Sequence, residues 1–341
     1  MSEVYVGIDV GSTMCAAAVR NEGGKILKGC KFSTTENNLV EFVSGLEGDV
    51  SVLFEEGEMA GWMCRLLLPH ADSVEVCDPK RNAWVYKENK ADPVDAMKLS
   101  EILRLGGYKV VYHTDDEEMA TFKIVVQHHQ QMVKNTTRIK NQIKSRLRQQ
   151  GVIITGGVVY TEDGRHEAIS RVYNTPVQRI RLQDFRLLDD AERQRDKAER
   201  LMVRESGAFP AIARLKKIPG VAIIGASRFF AYVQDSSRFN LSELNKYSRL
   251  AVVGSESGDK PLGPEHLNRD GNGTLKDISR KAYNGAMRTK EPNGIKEFHR
   301  RSLQRTGDRT NARLNTQRKI LAVMLAVMRE GGKYSDDRVN G

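Results

Sequence analysis

The chain has 341 residues, 39% of them hydrophobic, and its 54 Lys and Arg exceed 44 Asp and Glu to give a net charge of +10. That length holds two domains or more, each with its own core, and no apolar run is long enough to span a bilayer, which excludes a membrane protein. The opening Met1-Ser2-Glu3-Val4-Tyr5 enters a strand directly, with no secretion signal, so the chain is expected to be cytoplasmic. Val4, Val6, Ile8 and Val10 alternate with Tyr5, Gly7 and Asp9, a strand pattern. Asn21-Glu22-Gly23-Gly24 then separates strand-like runs Cys15 to Arg20 and Lys25 to Phe32, so the chain opens as an antiparallel meander.

A helix from Glu36 to Leu46, a strand from Val50 to Glu55, a helix from Met59 to Leu68 and a strand from Ser73 to Cys77 follow. The next helix starts at Asp92-Pro93-Val94-Asp95, where Asp92 suits the cap, Pro93 the first turn, and Asp95 the positive end of the helix dipole. Gly106-Gly107 stops it. Three antiparallel strands followed by alternating helix and strand describe a ribonuclease-H-like α/β sheet. In that arrangement Asp9 and Glu55 end neighbouring strands, and the Asp92 helix packs across them.

Asp115 to Gln150 reads as one long helix, broken by Gly151 and Gly156-Gly157, and Thr175 to Glu205 as a second, with the pattern of a coiled-coil partner. Glu205-Ser206-Gly207 opens a last domain, which gives the division 1–150, 151–205 and 206–341. Leu215-Lys216-Lys217-Ile218-Pro219-Gly220-Val221 resembles the hairpin of a helix-hairpin-helix unit, whose N–H groups can meet a phosphate. The small-residue loop Ser255-Glu256-Ser257-Gly258 and the glycine-rich Leu267 to Thr274 follow, then an amphipathic helix from Leu314 to Met328 and a polar tail from Gly331 that is expected to be mobile.

Charge and cysteine usage narrow the chemistry. Phe122 to Gly151 holds seven Lys or Arg and no acid, and Asn293 to Arg329 nine against two. Segregated positive charge points to a polyphosphate partner, met on the long helix by Lys134, Arg138, Lys140, Lys144, Arg146 and Arg148, and in the glycine-rich run by Arg269. Cys15, Cys30, Cys64 and Cys77 form no Cys-x-x-Cys pair and read as small buried residues in a reducing compartment. Asp9, Glu55, Asp92 and Asp95 make an oxygen-only pocket for a hard divalent cation, Mg²⁺ or Mn²⁺. Glu56 competes with Glu55, and Glu55 is preferred because it directly follows the apolar run.

Gly7-Ile8-Asp9, Phe54-Glu55-Glu56-Gly57, Lys90-Ala91-Asp92-Pro93-Val94-Asp95, Lys217-Ile218-Pro219-Gly220-Val221 and the Ser255 to Gly258 loop, in that order, resemble the DEDD transposases of bacterial insertion sequences. That family includes the bridge-RNA-guided recombinases and is related to the pilin-gene invertases. The resemblance implies a RuvC-like N-terminal domain, a coiled-coil insertion and a mostly α C-terminal transposase domain. It implies that Asp9, Glu55, Asp92 and Asp95 bind metal, and that Ser257, preferred over Ser255 because it precedes Gly258, attacks DNA to form a phosphoserine. It further implies donor and target DNA, a structured non-coding guide RNA, a dimer or tetramer, and a place at the nucleoid; the carboxylates and the serine fall in different domains, which leaves open a site composed across subunits.

Two other readings stay open on the residues alone. Gly7-Ile8-Asp9-Val10-Gly11-Ser12-Thr13 and Asp270-Gly271-Asn272-Gly273-Thr274 also look like the two phosphate loops of actin-like sugar kinases, and a nuclease fold without activity would bind nucleic acid alone.

Overall fold

Strand β1 (Glu3–Val10) is covered on both faces at its middle, where Val6, Gly7 and Ile8 are buried in succession. A computed structural model places β1 at the centre of a mixed sheet with β2 (Met14–Asn21), β3 (Ile26–Ser33), β4 (Asp49–Glu55) and β5 (Ser73–Cys77). The structure describes residues 2–81, 92–254, 256–257, 260–261, 265–336 and 339. The strand order is β3-β2-β1-β4-β5; β2 runs antiparallel to β1 and to β3, while β4 is parallel to β1 and to β5. Gly24, at φ +84°, closes the turn between β2 and β3 with its N–H on the Asn21 carbonyl at 2.9 Å.

One sheet face packs Val6, Ile8, Val52 and Phe54 against α1 (Glu36–Ser44) and α2 (Ala60–Leu67), through Leu39, Val43, Met63 and Leu67. The other face takes α3 (Asp92–Leu105), whose Leu99 and Leu103 meet Tyr5, Leu53 and Cys77. Gly106, at φ +72°, ends α3 with its N–H on the Ile102 carbonyl at 2.9 Å. This is the α/β sheet of a ribonuclease-H-like domain.

The chain divides into two compact units, Met1–Ala120 and Thr121–Gly341. The division falls inside the first turn of α4 (Glu117–Arg148), upstream of the expected boundary at 150. Within the second unit α4 pairs antiparallel with α6 (Thr175–Glu205). His129 lies 3.7 Å from Glu199, Lys140 2.6 Å from Glu192, and Arg146 meets Asp184, so partners descend along α6 as positions ascend along α4. Between them lies α5 (Glu162–Ser170), a helix not anticipated from sequence; Thr161 caps it by accepting from the Gly164 N–H. Ile143, Leu147, Val159, Ala168, Phe185 and Leu188 form the core at this end of the hairpin.

The remainder is mostly helical: α7 (Pro210–Leu215), α8 (Ile223–Val233), α9 (Leu241–Tyr247), α10 (Gly273–Arg288), α11 (Gly294–Thr306) and α12 (Arg309–Glu330). Among the described residues four two-residue strands, β6 (Val252–Val253), β7 (Glu256–Ser257), β8 (Lys260–Pro261) and β9 (His266–Leu267), pair as β6 with β9 and β7 with β8. Phe122, Phe209 and Phe230 pack in tilted and edge-to-face pairs with centroids 4.8 to 6.1 Å apart and join α4 to α7 and α8.

The helix-hairpin-helix-like element forms between α7 and α8, and the N–H groups of Lys217, Ile218 and Val221 donate to the carbonyls of Arg214, Leu215 and Ile218. Gly220, at φ +82°, is pressed against α10, where a side chain would overlap the Ala282 carbonyl and stand 2.5 Å from the Ala286 nitrogen. The tail expected to be mobile is tied back as far as Asp336, which accepts from the Gly294 N–H at 2.6 Å at the start of α11 and from the Tyr334 hydroxyl.

Candidate metal centre and catalytic loop

Parallel pairing of β1 with β4 aligns Val6 with Val52 and Ile8 with Phe54, and the next residue of each strand is Asp9 and Glu55. Neighbouring strands lie about 4.8 Å apart, and successive side chains alternate between faces. Asp9 and Glu55 therefore end adjacent strands on the face opposite Ile8 and Phe54, the one that α3 covers. Hydrophobic pairing explains the order: Ile8 and Phe54 are buried against α1 and α2, which turns both carboxylates the other way.

The direction of α3 follows from its contacts. Ala96 packs on Ala16 and Ala18, of which Ala16 is the register partner of Asp9. Further along the helix, Glu101 lies 3.2 Å from Arg20, which pairs with Tyr5 at the other end of β1. The helix thus runs antiparallel to β1, and its start, with Asp95, lies toward Asp9. Asp95 is half-buried, with Lys98 Nζ 3.7 Å away. Asp92 belongs to the same helix, one turn earlier, but its side chain lies outside the described residues, as do Lys90 and Ala91.

The two glutamates part company after β4. Glu55 is paired within the sheet to Cys77, whereas Glu56 donates its N–H to the Cys77 carbonyl at 2.9 Å and places its carboxylate 2.6 Å from His113 Nε2. His113 gave no signal in the sequence. Gly61 makes room for it, since a side chain there would come within 3.1 Å of His113 Nδ1.

The sheet and helix bring Asp9, Glu55 and Asp95 to one end of one face, although among the described residues no three His, Cys, Asp or Glu side chains form a finished ligand cluster. The donor set is carboxylate throughout, which fits a hard divalent cation and disfavours zinc or copper.

The other predicted residues fall in the second unit. Ser257 stands in β7, its backbone paired with Lys260; its side chain, and all of Ser255, lie outside the described residues. Lys134, Arg138, Arg148 and Arg269 are exposed. Lys140, Lys144 and Arg146 are not simple surface cations. Lys140 pairs with Glu192, Arg146 with Asp184, and Lys144 donates to the Gly156 carbonyl, while Lys140 and Lys144 both sit over the Tyr160 ring. Asp270 to Thr274, the second loop of the kinase reading, forms a turn and the cap of α10, with Asn272 accepting from the Thr274 N–H.

No helix among the described residues is long and apolar enough to cross a membrane. A family model of the DEDD transposases of the IS110 group, described as Transposase, matches residues 6–151, and a second, described as Transposase IS116/IS110/IS902 family, matches residues 212–300. No curated protein matches the chain. The first span holds Asp9, Glu55, Asp92 and Asp95 and the second holds Ser257, so both candidate parts of the chemistry fall within matched sequence. Transposases of this kind cleave and recombine DNA, and their DEDD domains use divalent metal ions. With an α/β sheet carrying acidic strand ends and a helical second unit, each matched by its own model, the chain belongs to the DEDD transposases of the IS110 family.

Proposed function

We propose that this transposase is an RNA-guided recombinase that exchanges DNA strands through a phosphoserine intermediate. In this reading Asp9, Glu55, Asp92 and Asp95 hold Mg²⁺ or Mn²⁺, and Ser257 is the nucleophile. The bound ions would supply positive charge at the scissile phosphate. Ser257 Oγ forms a bond to phosphorus as the bond from phosphorus to a deoxyribose oxygen breaks. The serine gives its proton to solvent, and the leaving oxygen takes one up. Attack by a hydroxyl of the incoming strand reverses the step and frees the serine.

The observation that carries the metal assignment is the placing of Asp9 and Glu55 at adjacent strand ends beneath the start of α3. A structured guide RNA would leave sequence choice to base pairing, and the exposed Lys134, Arg138, Arg148 and Arg269 suit contacts to phosphate backbones. Assembly as a dimer or tetramer completes the reading.

The test is expression of the full chain beside the DNA that flanks its own gene, recovery of DNA under denaturing conditions, and sequencing of RNA that co-purifies natively. Wild type should carry covalent DNA on Ser257 and a defined RNA; Ser257→Ala should lose the DNA and keep the RNA. DNA still attached in Ser257→Ala refutes the nucleophile, and random cellular RNA refutes the guide.

A further inference from the structure

Beyond a phosphate contact for Arg269, the reaction above gives no role to the glycine-rich run Leu267 to Thr274 or to the backbone of Arg249. Arg249 has φ +59°, a left-handed conformation that residues other than glycine and asparagine seldom adopt. Its side chain explains why an arginine stands there: Nε donates to the Gly271 carbonyl at 2.8 Å, while its own N–H donates to Lys246 at 3.1 Å. Gly271, at φ +108°, lies so close to the opposite segment that a side chain would stand 2.5 Å from the Tyr247 carbonyl.

Further bonds join the same two segments. Asn272 N–H donates to Tyr247 at 2.6 Å, Asn268 N–H to Ala251 at 2.8 Å, and Asn268 Nδ2 to Lys246 at 3.0 Å. Arg318 of α12 adds a bond from Nε to the Leu250 carbonyl at 2.9 Å. Just beyond this root, β6 pairs with β9, Val252 with Leu267 and Val253 with His266. The chain that leaves at Val253 and returns at His266 is the one that contains Ser257.

We propose that Arg249 is a positioning residue for strand cleavage. Its bond to Gly271 fixes how β6 and β9 leave the root, and hence where the segment bearing the nucleophile is presented. The inference rests on the assignment of the nucleophile to this segment, at Ser257. A shift of about an ångström in a reacting group costs up to about a hundredfold in rate, so a small rotation at the root is enough to matter.

Glutamine and methionine separate this role from a direct contact between the arginine and DNA phosphate. Gln Nε2 lies at the same point along the side chain as Arg Nε and keeps the donor without the charge; Met has the same reach and neither. With the full chain and the DNA flanking its gene, Arg249→Gln should form covalent adduct within about threefold of wild type, and Arg249→Met about tenfold or more slowly. Both should melt and bind that DNA like each other. Equal loss in the two variants, or a Met variant that is folded and as fast as wild type, overturns the proposal.

Ser257→Ala beside them distinguishes the two readings. Adduct that persists in Ser257→Ala and still falls in Arg249→Met moves the nucleophile elsewhere on the segment and supports the clamp. Adduct lost in Ser257→Ala but unchanged in Arg249→Met removes the clamp alone. A wild-type chain that forms no adduct overturns both.

Discussion

Gly7 lies beneath Ala96: a side chain at Gly7 would overlap the Ala96 carbonyl and the Ser100 N–H, and would stand 2.8 Å from Leu99 Cβ. The bare backbone of β1 is therefore what lets α3 settle onto the sheet, two residues from Asp9 and one from Asp95.

Gly7→Ala should accordingly destabilise the first unit by about 1–3 kcal/mol, the usual cost of overpacking, and weaken Mn²⁺ binding and metal-dependent cleavage further by lifting α3 from Asp9. Gly29→Ala on β3 is the control, because its added carbon meets only the Ala17 carbonyl at 4.0 Å. Urea melts and Mn²⁺ titrations of the full chain check both, and a Gly7→Ala chain with wild-type metal affinity would break the link between helix seating and the carboxylates.

Glu55 and Glu56 should respond differently to removal of charge. Glu55→Gln should abolish divalent-ion-dependent cleavage, whereas Glu56→Gln should retain most of it, since the Glu56 carboxylate is turned to His113. Cleavage assays across a Mn²⁺ series decide the matter; loss on Glu56→Gln with activity kept on Glu55→Gln would exchange their roles.

The basic residues of α4 should separate into two groups. Lys134→Ala and Arg138→Ala should each lower the slope of log affinity for duplex DNA against log salt by about 1. Lys140→Ala should leave the slope and cost stability of under about 1 kcal/mol, because its partner Glu192 is only half-buried and such pairs are screened. Binding titrations at several salt concentrations, with melts alongside, distinguish the groups.

His129 makes the second unit sensitive to acid. Burial pushes its imidazole pKa below the ordinary value; Arg228 and Arg195 add to the depression and Glu199 opposes it. The unfolded chain binds that proton more readily than the folded one, so stability is full above about pH 6.5 and falls as pH drops from there toward the depressed value. Thermal melts at pH 8 and 5.5 should show a larger loss for wild type than for His129→Gln; equal losses would place the sensitivity elsewhere.

Much of the first unit was legible in the order of its residues, because alternating hydropathy along β1 and the Asp-Pro start of α3 are local signals. The same holds for α6, whose bounds the apolar spacing located. Shorter helices are less legible: α9 has seven residues, and its signal is the capping box of Asn240 and Glu243. Other features have no local signature. Gly220 looks like an ordinary turn glycine until α10, some 60 residues away, arrives against it. Lys140 and Arg146 count as surface charge until Glu192 and Asp184 come alongside. Of the candidate site, the acidic strand ends were readable, while His113 and the Arg249 root depend on contacts that only folding creates.

The antiparallel match of α4 with α6 limits how this part of the chain can change length. Excising seven residues from one arm slips every ion pair on the far side of the cut, unless the other arm loses seven as well. Insertions obey the same arithmetic, so a graft from a relative with a longer or shorter hairpin must carry both arms or neither.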